Sequence, residues 1–234
     1  MSKPADYVDC GLNLQTGCDP AFDCWKRCWA RRMALRLAGN SAVKDHFMYD
    51  HFQPTLWPER VEEVKKWRQP RHVALNWMGD MFAKGQRCRW QCVSMDVVAA
   101  YPQHTWLILT KRANLMADFF AWAEENVCEG DIPENAWLGV SVSRPTDLER
   151  VKWLNLIHCS VRWVSFEPAL EEINFTPAML KGISWLVYGA ETGPGKRPDL
   201  GLDYAMWLYK LCKACGVKFW DKKNVLGLNI KERP

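Results

Sequence analysis

The chain has no long apolar run, since no stretch of its 234 residues approaches the roughly 20 apolar residues that cross a bilayer. Its first ten residues, MSKPADYVDC, also lack the apolar region of a secretory signal, so we expect a cytoplasmic protein without membrane association. Low-complexity tracts and repeats of fixed period are missing too. Histidine is scarce, and its five residues form no i, i+4 pair of the zinc-protease kind. The remaining composition, 48% hydrophobic and 25% charged, predicts one globular domain over residues 1–234.

Cysteine and tryptophan, by contrast, are abundant, with ten and fourteen residues. Three of the thiols, Cys18, Cys24 and Cys28, fall within eleven positions of the segment TGCDPAFDCWKRCWARRMALRL (16–37). In a reducing compartment, closely spaced thiols more often bind a metal or carry out redox chemistry than form disulfides. Three thiolates leave one coordination position of a metal open, which indicates a site for chemistry. A zinc site completed by a remote residue such as Cys10, or buried thiols without a metal, are the alternatives.

Short apolar runs rich in β-branched and aromatic residues recur along the chain and predict strands. They are VDCGLNLQTGC, HVALNWMGD (72–80), HTWLILTKR (104–112), AWLGVSVS (136–143), VRWVSFEP (161–168), SWLVYGAE (184–191) and GVKFWDKK (216–223). Most are apolar along their length instead of alternating, which is typical of strands buried on both faces of a parallel sheet. Segments between them, such as NLMADFFAWAEEN and LDYAMWLYKLCKACG, have helical spacing. The sequence therefore predicts a β/α protein.

Polar residues or glycine follow each of these predicted strands. In parallel β/α sheets and barrels the site lies at the carboxyl ends of the strands, so we expect these residues and the cysteine loop to share one edge. They are Gly79, Asp80, Lys111, Arg112, Ser141, Glu167, Glu191, Asp221 and Lys222.

The sequence resembles the phage-associated radical S-adenosylmethionine (radical SAM) proteins, which are sometimes grouped as three-Cys-motif or spore-photoproduct-lyase-like proteins. The matching segments, which cover nearly the whole chain, are TGC at 16–18, CWARRMALRL at 28–37, MGDMF at 78–82, LILTKR at 107–112, WLGVSVS at 137–143, RWVSFEPAL at 162–170 and WLVYGAETGPGKRP at 185–198. Two positions depart from the group: Cys24 lies one position early, and Trp29 replaces a tyrosine. The resemblance implies a single-domain, partial (β/α)6-like radical SAM barrel.

The resemblance also implies the cofactors. A [4Fe-4S] cluster held by Cys18, Cys24 and Cys28 would bind S-adenosylmethionine, and electron transfer would yield a 5′-deoxyadenosyl radical that abstracts hydrogen from a substrate. The position of Trp29 beside the cysteines suggests that it shields the cluster from water or, equally, that it packs in the core. A flavodoxin or ferredoxin would be the reductant, and a phage-encoded enzyme would work in the host cytoplasm.

The strand-end residues have candidate roles, of which that of Gly79 and Asp80 is implied by the resemblance, and each role has an ordinary alternative. Gly79 and Asp80 would contact the cofactor ammonium, or Asp80 would cap its strand. Lys111 and Arg112 would bind a carboxylate or phosphate, or lie in an exposed loop. Ser141 and Ser143 would bind the ribose hydroxyls, or would bond the local backbone. Glu167 and Glu191 would be catalytic carboxylates, or would pair with an arginine such as Arg197.

The expected substrate is a modified thymine in phage DNA, whose attached amino-acid group would be rearranged. A base must leave the duplex to be reached, and Trp77 or Trp220 would stack on it. A lesion-repair lyase using the same radical is one alternative. The other is a non-catalytic zinc module that binds a nucleic acid or another partner.

Two further patterns, one of cysteines and one of cations, each have two interpretations. Cys88 with Cys92, and Cys212 with Cys215, have the spacing of a second metal site, although packing explains them as well. The segment WKRCWARRMALRLAGN carries five cations whose spacing predicts charge around a solvated helix rather than along one face, with a nucleic-acid footprint as the alternative.

Overall fold

The computed structural model describes residues 4–19, 23–42, 51–84, 88–126, 131–192, 199–222 and 228–234. The chain divides into two compact units: the first unit is Met1–Pro4 with Val8–Ile108, and the second unit is Ala5–Tyr7 with Leu109–Pro234. The strands are β1 (Cys10–Leu12), β2 (Gln15–Thr16), β3 (Thr55–Leu56), β4 (His72–Leu75), β5 (Thr105–Thr110), β6 (Ala136–Val142), β7 (Val161–Phe166), β8 (Trp185–Tyr188) and β9 (Lys218–Asp221).

The α-helices alternate with the strands along most of the chain. They are α1 (Trp29–Ala38), α2 (Val61–Val64), α3 (Cys88–Ala100), α4 (Ala113–Asn126), α5 (Glu149–Asn155), α6 (Pro177–Leu180) and α7 (Leu202–Ala214). Short 3-10 helices cover Asp23–Arg27, Pro58–Arg60 and Pro145–Leu148. Among the helices of the described residues, none is long and apolar enough to cross a membrane.

In the first unit, β1, β4 and the start of β5 run parallel, with Cys10 opposite Val73 and His72 opposite Thr105. Residues 73–75 are at most 1% exposed, as expected for a strand buried on both faces. β2 and β3 form a separate antiparallel pair. The predicted first strand is therefore divided into β1 and β2.

Side-chain amides fix the turn that follows β4. Asn76 has a positive φ of 61°, and its Oδ1 accepts a hydrogen bond from the backbone N–H of Gln15 at 2.9 Å. The Oδ1 of Asn13 accepts from the N–H of Met78 at 2.8 Å. The two bonds tie the segment after β4 to Asn13 and to the first residue of β2, because each amide crosses from one segment to the other.

Helix α1 has one buried and one exposed face. Ala30 and Ala34 are 3% and 0% exposed, and they pack into an apolar cluster of the first unit. Trp29, Arg32 and Arg36 are exposed, and their three- and four-residue spacing places them on the same side of the helix. The expectation of charge distributed around this helix is therefore wrong for its two exposed arginines.

In the second unit, β6, β7, β8 and β9 are parallel neighbours in that order. Each predicted apolar run contains a strand, and helices lie between the strands along the chain. The predicted β/α class with parallel strands is thus confirmed in each unit.

Aromatic rings fill the core of the second unit. The ring centroids of Trp163 and Trp185 are 5.5 Å apart, and Tyr7 meets Trp185 edge to face at 5.5 Å. Trp220 is only 6% exposed, and its indole N–H donates to the Asp6 carboxylate at 3.3 Å. Trp220 is therefore a core residue rather than the exposed base-stacking platform expected from the sequence.

A buried histidine lies among the aromatic rings of the first unit. His104 is 1% exposed, and its ring lies 5.5 Å from that of Trp67 and 5.9 Å from that of Trp106. Burial first, and the Arg71 guanidinium second, lower the pKa of His104 from its ordinary value. The folded protein therefore holds this imidazole neutral.

His104 should make the stability of the protein fall in mild acid. Below about pH 6.5 the unfolded chain takes up a proton at this histidine that the folded chain resists, so the free energy of unfolding decreases by up to about 1.4 kcal/mol per pH unit until the lowered folded pKa is reached. Urea unfolding between pH 8 and 5 would measure this slope. His104→Phe should lose this contribution, whereas replacing the exposed His158 should retain it. Equal slopes in both variants would contradict the assignment.

Candidate functional site

The cysteine loop of the first unit is held by backbone hydrogen bonds on both sides. The N–H of Gly17 donates to the carbonyl of Met78 at 3.0 Å, and the N–H of Asp80 donates back to the Gly17 carbonyl at 3.3 Å. On the other side, the N–H of Cys18 donates to the Phe52 carbonyl at 3.1 Å. The thiol of Cys18 therefore leaves the chain at a fixed position beside the end of β2.

Two glycines make this close approach possible. A Cβ at Gly79 would lie 2.3 Å from the Gly17 carbonyl oxygen, and a Cβ at Gly17, where φ is +85°, would lie 2.0 Å from the Gln53 carbonyl oxygen. Backbone atoms are the obstacle at both positions, so a side chain cannot be accommodated by rotation. The structure thus gives Gly79 a packing role that the sequence did not predict, and it leaves the predicted cofactor contact untested.

The three candidate thiols lie in different environments. Cys28 precedes α1, and its sulfur accepts the backbone N–H of Arg31 at 3.5 Å. Cys18 and Cys28 both pack against the apolar cluster formed by Ala30, Ala34, Phe52 and Trp57. Cys24 is exposed in the 3-10 helix Asp23–Arg27. An apolar wall therefore borders two of the three sulfurs.

The metal-binding role of Cys18, Cys24 and Cys28 stays a prediction. Within the described part of the chain, no three His, Cys, Asp or Glu side chains are grouped so as to hold a metal ion. None of the nine cysteines that the structure describes forms a disulfide, so all three candidates keep a thiol that can become a thiolate ligand. Residues 20–22, between Cys18 and Cys24, lie outside the described residues.

Asp80 and Trp29 flank this loop. Asp80 is 7% exposed, and its Oδ1 accepts the backbone N–H of Phe82 at 3.0 Å, while its carbonyl accepts that of Ala83. These bonds lie within the turn that Asp80 begins, five residues after the end of β4, and the predicted role of Asp80 stays a prediction. Trp29 begins α1 and is 47% exposed.

The carboxyl ends of β7, β8 and β9 bring together a second group of predicted residues. Lys222 and Glu167 form an ion pair, with 15% and 22% of their side-chain surfaces exposed. Between them lies Gly189, where a Cβ would be 2.9 Å from Lys222 Cδ and 3.2 Å from Glu167 Cγ. The two charged side chains therefore meet across the end of the middle strand.

Tyr7 completes this group within the second unit. Its hydroxyl donates to Glu167 Oε2 at 3.5 Å, and the Lys222 ammonium lies 5.8 Å from its ring centroid. Burial, followed by the negative charge of Glu167, raises the pKa of Tyr7 well above its ordinary value, so the phenol stays protonated. The sequence did not predict the contacts of Tyr7 and Lys222 with Glu167, because these contacts join segments that are far apart in the chain. Only the position of Lys222 after a predicted strand indicated that it lies at this edge.

The two candidate serines secure neighbouring loops. Ser141 is 2% exposed, and its hydroxyl donates to the carbonyl of Glu167 at 3.4 Å. Ser143 is 8% exposed; its backbone N–H donates to Asp147 at 2.8 Å, and its carbonyl accepts the N–H of Leu170. The Ser141 hydroxyl therefore bonds a backbone carbonyl 26 residues away rather than a local one, and Ser143 is held through its own backbone.

The remaining strand-end candidates follow β5 and β8. Lys111 is half-buried after β5, while Arg112 is 4% exposed and accepts the N–H of Met116 through its carbonyl at the start of α4. Glu191 is half-buried after β8. Its expected partner Arg197, with the glycines at 193 and 195, lies outside the described residues.

The other cysteines have raised pKa values where burial dominates. Desolvation raises the pKa of Cys10 and Cys92, and it raises that of Cys212 to about 12. Cys88 is exposed at the start of α3, and Cys215 follows α7. Neither pair joins a group of metal ligands in the part of the chain that the structure describes.

The fold and these residues define an α/β protein with parallel strands and a thiol-bearing loop after its first strands. The chain belongs to the family described as "Protein of unknown function (DUF5131)", whose model matches residues 3–226. No curated protein and no solved structure shows significant similarity to it. That description names no activity, so a function has to be argued from the residues themselves.

Proposed function

We propose that this protein is a radical SAM enzyme with a partial (β/α)6-like barrel, in which Cys18, Cys24 and Cys28 hold a [4Fe-4S] cluster. The observation that carries the proposal is the cysteine loop, in which one thiol is fixed by backbone pairing and two thiols border the same apolar wall. Soft thiolate donors with an apolar surround suit an iron-sulfur cluster. When bound, the cluster would supply the electron that cleaves S-adenosylmethionine.

The residues of the first unit would position the cluster and exclude water from it. Phe52 and Trp57 are 2% and 5% exposed, and they cover the side of the loop on which Cys18 and Cys28 pack. The Gly17–Gly79 contact would fix the Cys18 backbone, so that a thiolate there needs little rearrangement to bind iron.

The residues of the second unit would serve a polar substrate. Glu167 offers carboxylate oxygens and Lys222 an ammonium group, and both retain some exposed surface. The Tyr7 hydroxyl donates to the same carboxylate, which would favour its charged form and orient it. We assign these three residues to substrate binding and orientation.

The proposed substrate is a modified thymine in phage DNA, which would have to be flipped out or single-stranded to be reached. Support for this comes from the sequence resemblance and from the net charge of +4. Anaerobic incubation with modified and unmodified DNA, followed by mass spectrometry of the released nucleosides, tests it. Unchanged nucleosides in every DNA, with S-adenosylmethionine cleavage intact, would remove this substrate class and retain the radical chemistry.

Metal analysis tests the cluster. We expect about four iron and four sulfide per chain in anaerobically purified or reconstituted protein, and a loss of both in the Cys18→Ala/Cys24→Ala/Cys28→Ala variant. A Cys88→Ala/Cys92→Ala/Cys215→Ala variant removes the same number of thiols elsewhere and should keep its iron. Stoichiometric zinc without iron after reconstitution would overturn the proposal and favour a zinc module.

A further inference from the structure

An exposed, positively charged surface lies beside the cysteine loop in the first unit. We call it the α1 surface, and its members are Lys26, Arg27, Trp29, Arg32, Leu35 and Arg36, all of which are exposed. The sequence contains no Asp or Glu between Cys24 and Lys44, so the segment has no negative charge of its own. A concentration of charge of one sign attracts a partner of the opposite sign.

The geometry of α1 concentrates this charge. Ala30 and Ala34 take the buried face, which leaves Trp29, Arg32 and Arg36 along one exposed ridge with a helical turn between successive members. Arg31 is set apart from the ridge, because its guanidinium lies 4.8 Å from the ring centroid of Trp25. The ridge therefore presents one aromatic ring followed by two guanidinium groups.

Neither arginine of the ridge is neutralised within the described residues. No carboxylate there forms an ion pair with Arg32 or Arg36, and the side-chain contact of Arg36 is with the Met33 sulfur, at 2.9 Å. Guanidinium groups bind phosphates in bidentate fashion, and an exposed indole offers a face on which a base can stack. Trp29 is 47% exposed, which leaves room for such stacking.

We propose that the α1 surface binds single-stranded nucleic acid, with Arg32 and Arg36 on the phosphate backbone and Trp29 stacked on a base. This inference deepens the nucleic-acid part of the proposed function, but it does not depend on the radical chemistry. A lipid surface fits less well, since Leu35 is the one aliphatic residue among the six exposed members.

Fluorescence anisotropy with a labelled single-stranded oligonucleotide tests the proposal on the full chain. Arg32→Gln/Arg36→Gln should weaken binding about tenfold or more and reduce the slope of log K against log salt by about 1.4, because two phosphate contacts of about 0.7 each are lost. Trp29→Ala should also weaken binding about tenfold, with little change in the salt slope. Lys66→Gln/Arg68→Gln removes the same charge from exposed positions of the same unit and should bind like the unmodified protein.

Three outcomes would overturn the proposal: no binding by the unmodified protein, equal weakening in the control variant, or unchanged binding in both ridge variants. If the ridge variants bind DNA normally but accept electrons from a flavodoxin more slowly, the surface serves an acidic protein instead. Iron content measured on the same preparations keeps the two proposals separate, because the Arg32→Gln/Arg36→Gln variant should retain iron whether or not it binds DNA.

Discussion

Gly79→Ala should lower the free energy of unfolding by about 3 kcal/mol or more, at the upper end of the usual cost of overpacking. The new methyl carbon would lie 2.3 Å from the carbonyl oxygen of Gly17. Gly17 cannot retreat, because its own Cα faces the Gln53 carbonyl, where a Cβ would be 2.0 Å away. Three backbone segments therefore have to separate to admit one methyl group. Urea unfolding followed by tryptophan fluorescence would measure the loss.

Gly39→Ala is the matched control for this substitution. Gly39 ends α1 with a φ of −76°, and the nearest atom to a Cβ there is 3.7 Å away. The free energy of unfolding should change by less than about 0.5 kcal/mol, as for ordinary surface substitutions. A Gly79→Ala protein as stable as Gly39→Ala would mean that the Cys18 loop is not held by this contact. In that event the pre-positioned thiol in the proposed function would lose its main support.

The parallel strands could be predicted from the sequence because a strand that is buried on both faces is apolar at nearly every position. WLVY at residues 185–188 is apolar at each position and is fully buried in β8. The contacts of turn residues could be predicted less well. Gly79 was expected to contact a cofactor, which stays a prediction, and the structure places the backbone of Gly17, 62 positions earlier in the chain, against it. A glycine indicates that something comes close, but it does not identify what.

Side-chain partners could not be predicted where they depend on strand order. Glu167 was expected to bind substrate or to pair with an arginine such as Arg197, and the structure pairs it with Lys222 instead. The pairing needs β9 to lie two strands from β7 and a glycine between them, which no local pattern specifies. Tyr7 belongs to the second unit although it precedes β1, so its contact with Glu167 was equally hidden.

The positions of the arginines on α1, by contrast, could have been predicted from the local sequence. Five cations in one segment were expected to surround a helix, but Lys26 and Arg27 lie in a 3-10 helix before it. Small residues at positions 30 and 34 mark the buried face of α1 and leave Arg32 and Arg36 together on the other. Alanine spacing, rather than charge spacing, was the signal that would have located the ridge.

Lys222→Met should destabilise the second unit by about 2–3 kcal/mol, because it leaves the Glu167 carboxylate largely buried without its cation. Removing one member of a fully buried pair costs about 3–5 kcal/mol, and the 15% and 22% exposure of these side chains lowers that value. Glu167→Gln should lower the free energy of unfolding by a similar amount, because it leaves the Lys222 ammonium without its carboxylate. The double variant should be less destabilised than the sum of the two, with a coupling energy of about 1–3 kcal/mol.

The exposed pair of Lys65 and Glu62 in the first unit is the control for this cycle. Its side chains are 56% and 60% exposed at an N–O distance of 2.5 Å, so Lys65→Met with Glu62→Gln should give a much smaller coupling energy. Urea unfolding of the four proteins in each cycle measures the two coupling energies. Equal coupling energies would contradict the expectation that burial makes the Glu167–Lys222 pair the stronger one. Under the proposed function, product formation by the folded Glu167→Gln/Lys222→Met protein should stay at least about 100-fold below that of the unmodified enzyme, whatever coupling energy the cycle gives. Product formation like that of the unmodified enzyme would mean that the pair supports the fold and has no role at a substrate.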